Sequence, residues 1–107
     1  MSDTKQNICI VKSLADISRI LGDNASVLRE HNVRELRLFG SFARGSATET
    51  SDIDLLVDYI KTISLFSHVS FAQRLEKLFH RKVDLVTMNA LKPQLRDSIL
   101  NEAFRVA

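Results

Sequence analysis

Three acids and a glycine–serine pair are the residues whose types and spacing could do chemistry. Asp52-Ile53-Asp54 sets two carboxylates two residues apart in a stretch that reads as a strand. Residues two apart in a strand leave the same face, roughly 7 Å apart along the backbone. Side by side, and next to aliphatics, two carboxylates are costly to keep ionised. A hard divalent cation such as Mg²⁺ removes that conflict: it prefers oxygen and takes one or two protein carboxylates together with substrate phosphates. The competing reading is a solvated polar face on an edge strand. Asp84 stands in Val83-Asp84-Leu85-Val86, an apolar stretch of the kind in which aspartate is depleted. Alone it reads as a surface acid. On a strand beside the first it would join Asp52 and Asp54 on one face, and three acids are enough to hold two Mg²⁺ ions for in-line phosphoryl displacement.

Gly40-Ser41 follows an alternating stretch and precedes Phe-Ala-Arg-Gly. That order predicts a tight turn from strand to helix. A glycine there lets backbone approach a ligand closely. Free N–H groups of the turn, with the serine hydroxyl, would bind an anion. The competing reading makes Ser41 an ordinary helix N-cap.

The elements that must position these residues follow from periodicity. Residues 33–39 alternate from Arg34 onward, with Leu36 and Leu38 on one side and Arg37 and Phe39 on the other, a strand ending at Gly40. Residues 52–59 form a second strand, with Ile53, Leu55 and Val57 opposite Asp52, Asp54 and Leu56. Lys82 to Thr87 is a third. A helix opens at Ser13 with Leu14, Ile17, Ile20 and Leu21 apolar, and Asn24 caps a short second helix to His31. A longer helix, Ser64 to His80, carries Leu65, Val69, Ala72, Leu75 and Phe79 as its apolar stripe, flanked by Phe71 and Leu78. Pro93 opens the last helix. Residues 103–107 fit a helix end or a short strand, and residues 1–12 a loosely ordered arm. The order is that of an α/β domain with a small sheet.

Composition removes several classes. The chain has 107 residues, 45% hydrophobic and 26% charged, which suits one globular domain over 1–107. Cys9 is the only cysteine, so there is no disulfide framework, and without a nearby base it is no credible nucleophile. No apolar run reaches the ~20 residues of a membrane helix, and the polar start does not look secretory, so a cytoplasmic setting is expected. Fifteen Lys and Arg against thirteen Asp and Glu give a net charge of +2, too little for a nucleic-acid surface. His31, His68 and His80 lack metal-ligand spacing and are expected at the surface or at helix ends. Phe42, Tyr59, Phe66, Phe71 and Phe104 are core candidates, or a partner surface where the core does not need them.

Taken together, Leu38 to Val57 (LFGSFARGSATETSDIDLLV) and Val83 to Val86 (VDLV) resemble the DNA polymerase β-like nucleotidyltransferase superfamily, in particular minimal nucleotidyltransferases paired with HEPN-domain toxins. The resemblance implies a polymerase β-like fold, a small mixed sheet with helices packed on it. It implies that Gly40 and Ser41 hold a nucleotide triphosphate. Asp52 and Asp54 would bind both Mg²⁺ ions, and Asp84 would bind the catalytic one and help activate the attacking hydroxyl. Arg44, on the first turn after the serine, would neutralise phosphate charge. It further implies ATP as donor, AMP as the transferred group, and a hydroxyl, expected to be a tyrosine's, on a HEPN toxin as acceptor. The small size favours a protein acceptor. Neutralisation by occlusion alone, or transfer to a small molecule or RNA end, are the alternatives. Exposed sheet edges would also let two copies pair.

Overall fold

Leu36 and Leu38 of β1 (Val33–Phe39) face the same way as Ile53, Leu55 and Val57 of β2 (Ile53–Tyr59), and all five are buried. The two strands pair antiparallel, Leu38 opposite Leu55 and Phe39 opposite Asp54. The computed structural model describes residues 11–107. β3 (Val83–Thr87) lies parallel to β2, and β4 (Phe104–Arg105) antiparallel to β1, giving the order β3-β2-β1-β4. The expected small mixed sheet is thus present, and the short strand settles residues 103–107. A parallel pair needs a long crossover. Helix α4 (Leu65–Phe79) supplies it, capped by Ser64, whose hydroxyl accepts from Ser67 N–H at 3.0 Å, and ended by His80 in the left-handed region at φ 55°.

Helices α1 (Leu14–Asp23), α2 (Ala25–Glu30) and α4 supply the core on the Leu36 face, with Ile17, Ile20, Leu21, Val27, Phe71, Leu75 and Phe79 in one cluster with the strand aliphatics. Burying each such side chain stabilises the fold by about 1.5–3 kcal/mol. Ser13 caps α1 as expected, but Asn24 does not cap α2 through its side chain: Nδ2 donates instead to the Ile20 carbonyl at 2.8 Å. The stripe expected on α4 is half wrong. Leu75 and Phe79 are buried, as is the flanking Phe71, whereas Leu65 is 77% and Val69 45% exposed. The face that α4 turns to the sheet runs through His68, Phe71, Leu75 and Phe79, which leaves Leu65 and Val69 at its outer edge. Of the aromatic candidates, Phe42 and Phe71 are core, Tyr59 is half-buried against it, and Phe66 and Phe104 are exposed.

The other sheet face carries Asp54, Leu56 and Asp58. Leu56 is buried but lies outside the main cluster. A 3-10 turn (Met88–Ala90) packs beside β2, and α5 (Pro93–Glu102) packs beside β1 and α3 (Gly40–Arg44). Most of the expected arm, including Cys9, lies outside the described residues. Val11 is buried, and its carbonyl accepts from Arg81. Among the described residues no helix is long and apolar enough to cross a membrane.

Candidate active site

The connection from β1 to β2 builds the site. β1 ends at Phe39, and Gly40 turns the chain into α3 with φ +76°. That conformation is cheap only for glycine. A second constraint is spatial. A Cβ on Gly40 would lie 2.9 Å from the Asp54 Cγ and closer still to Oδ2. The turn therefore rests directly on the Asp54 carboxylate. Gly45, at φ +77°, ends the helix after five residues. The helix-start residue is Phe39 rather than Ser41, so the ordinary N-cap reading of Ser41 falls. Ser41 is half-buried in the first turn, and its carbonyl accepts from Ser46 N–H at 2.9 Å.

Asp54 and Asp84 are directly opposite in the parallel pair of β2 and β3, and so project from one face. Asp52 is exposed just before β2 begins; Asp84 is exposed as well, and Asp54 is half-buried. Burial pushes the Asp54 carboxyl above its ordinary range, the Asp84 and Asp52 charges push it further, and the Arg44 guanidinium opposes them. Such a cluster of oxygen donors, in electrostatic conflict with itself, fits a hard divalent cation. Among the described residues no three His, Cys, Asp or Glu side chains are already gathered closely enough to hold a metal. The carboxylates are neighbours, not a closed cage.

Two residues at the site carried no sequence signal. Glu102, at the end of α5, accepts through one oxygen from Gly40 N–H at 3.2 Å and from Arg44 at 3.2 Å. It stands 62 positions from Gly40, and only the return of the chain along β1 brings it there. Arg81 holds the loop between α3 and β2. Its guanidinium donates to the carbonyls of Thr48 (3.0 Å), Glu49 (3.1 Å), Ser51 (2.7 Å) and Val11 (2.9 Å), and stacks 5.1 Å from the Phe42 ring centre. Fixing Ser51 fixes the approach to Asp52.

A cleft of about 830 Å³ lies at the other end of β2 and includes Tyr59, His68 and Met88. His68 also corrects the expectation of a surface histidine. It is half-buried, with Nε2 2.9 Å from the Leu85 carbonyl and Nδ1 2.8 Å from the Tyr59 hydroxyl. A carbonyl only accepts, so Nε2 carries a proton, and the second ring nitrogen and the Tyr59 hydroxyl share the other hydrogen bond. Burial pushes the Tyr59 hydroxyl up to about 12. His31 and His80 do sit at helix ends.

Residues 23–106 match the family described as polymerase beta, nucleotidyltransferase. The protein adenylyltransferase MntA of Thermococcus cleftensis is 39% identical over 95 residues, spanning 88% of this chain and 96% of that protein. A solved structure described as a "putative minimal nucleotidyltransferase" superposes with a TM-score of 0.75 at 36% identity, covering 86% of this chain and 94% of its own. The complex of tri-AMPylated Shewanella oneidensis HEPN toxin with MNT antitoxin has the same fold, with a TM-score of 0.63 at 20% identity, covering 85% of this chain and 71% of that one.

Proposed function

The chain belongs to the polymerase β nucleotidyltransferase family and is a nucleotidyltransferase, and we propose that it moves AMP from ATP to a tyrosine hydroxyl of a HEPN-domain toxin, acting as that toxin's antitoxin in the cytoplasm. The observation that carries the reading is the turn at Gly40 seated on the Asp54 carboxylate, with Asp84 opposite Asp54 and the charge of Asp52 felt there. The names of its relatives support the group transferred and the acceptor.

Asp52, Asp54 and Asp84 would hold Mg²⁺. That ion's chemistry, when bound, is neutralisation of triphosphate charge and in-line alignment of the reacting atoms. The rest falls to the chain. Gly40 and Ser41 offer backbone and hydroxyl donors to the triphosphate, and Arg44 offsets its charge. The acceptor oxygen forms a bond to the α-phosphorus as the bond from that phosphorus to the bridging oxygen breaks, and pyrophosphate leaves with the electron pair. The acceptor's proton passes to an Asp84 carboxylate oxygen, which is exposed and therefore reachable. Positioning and charge placement carry such transfers.

Intact-mass spectrometry tests this reading. The protein is incubated with Mg²⁺, each of the four nucleoside triphosphates and a HEPN toxin. The expected result is a gain of one or more AMP masses on the toxin, from ATP and absent for Asp52→Asn. Tight binding without any mass change would overturn the transfer and leave occlusion as the mode of neutralisation.

A further inference from the structure

Gly40 N–H and Arg44 are two of the groups assigned to the triphosphate, yet in this structure both are already engaged by the Glu102 carboxylate. We propose that Glu102 is a competitor of the triphosphate: a carboxylate latch that holds the phosphate-binding groups until nucleotide displaces it, and so sets nucleotide affinity. The inference rests on the reading of Gly40, Ser41 and Arg44 as the triphosphate site.

Geometry and charge both favour displacement. A single Glu102 oxygen accepts from both donors at 3.2 Å, where a phosphate oxygen would accept in its turn. The anion is repelled by the triphosphate arriving at the same donors. The pair is accessible: Arg44's side chain is 56% and Glu102's 36% exposed. No residue of α5 is buried, whereas the chain beyond it is anchored, with Val106 buried and its N–H donating to the Leu36 carbonyl at 2.9 Å, so the movement required is that of the exposed Glu102 side chain alone. Glu102 can therefore swing away at little loss of apolar burial. Arg44, whose charge already offsets that of Asp54, is then left free to pair with phosphate.

The test is binding by titration calorimetry, with ATP and with inorganic tripolyphosphate, for wild type, Glu102→Gln and Glu102→Ala. Glu102→Gln keeps an oxygen for Gly40 N–H and removes only the charge. Both variants should bind both ligands roughly threefold to tenfold more tightly, in keeping with loss of one like charge beside the site. In steady-state transfer KM for ATP should fall without a rise in kcat, a split that mere loosening of α5 would not produce. Should Glu102→Ala lose its fold by circular dichroism, the nearly isosteric Glu102→Gln carries the measurement. Equal or weaker binding in Glu102→Gln, with wild type still binding ATP, overturns the latch and leaves the proposed function standing. Absence of binding to any of the three proteins overturns both.

Discussion

Gly40 and Gly45 form a matched pair for experiment. Both adopt left-handed backbone, at φ +76° and +77°. Alanine at either position therefore carries the same conformational cost, about 1–2 kcal/mol. They differ in what a new methyl group meets. At Gly45 nothing lies within 4 Å, whereas at Gly40 the Asp54 carboxylate is in overlap. Gly45→Ala should lower Tm by roughly 5–15 °C, at about 4–8 °C per kcal/mol for a domain of this size, and retain transfer. Gly40→Ala should lose at least as much stability, because either β1 or Asp54 must shift, and should lose transfer by more than about a hundredfold, since ångström-scale misplacement of a reacting group costs that much. Thermal melts and the AMP-transfer assay, run on both variants, separate the two effects. Equal activity in the two would refute the claim that the Gly40 turn and the Asp54 carboxylate form one unit.

Two further outcomes follow from electrostatics and hydrogen bonding. Asp54 has its pKa raised on folding from the ordinary 3.8, chiefly by burial, so the folded chain holds that proton more tightly than the unfolded one. Its favourable contribution is present below pH ~3.8 and is lost as pH rises through the folded pKa. Asp54→Asn should therefore raise Tm at pH 7 while abolishing transfer, with the gain shrinking as pH is lowered. Added Mg²⁺ should raise Tm in wild type and less in the variant; a variant melting below wild type at pH 7 would contradict this. Arg81→Lys replaces a planar fork that reaches four carbonyls with a single ammonium. It should cost about 2 kcal/mol in urea unfolding and lower transfer through the loosened approach to Asp52; wild-type stability would refute the clamp.

Sheet alternation was legible because the two faces meet opposite environments. Leu36, Leu38, Ile53, Leu55 and Val57 need a core, and their neighbours do not. The three acids were legible locally: Asp52 and Asp54 by their two-residue spacing at the start of a strand, and Asp84 because it interrupts an apolar stretch. The stripe on α4 is legible only in part because a run of apolar residues does not fix how the helix is rotated on the sheet: the buried face runs through His68, Phe71, Leu75 and Phe79, and Leu65 and Val69 fall outside it. The histidine reading failed for a related reason. His68 is held by Tyr59 on one strand and the Leu85 carbonyl on another, and a lone histidine on a helix carries no trace of such partners.

Local chemistry therefore determined the element types, the glycine turn and the identity of the acids, since those depend on residues within a few positions of one another. What only the tertiary structure decided is which distant groups converge. Strand pairing put Asp84 beside Asp54, some thirty positions away. Return of the chain along β1 placed Glu102 on Gly40 N–H and Arg44. Arg81 reached back to the carbonyls before Asp52. Sequence patterns record periodicity and interruption, but contacts closed by loops of this length leave no periodic signal, because their cost and their gain are shared by the whole fold.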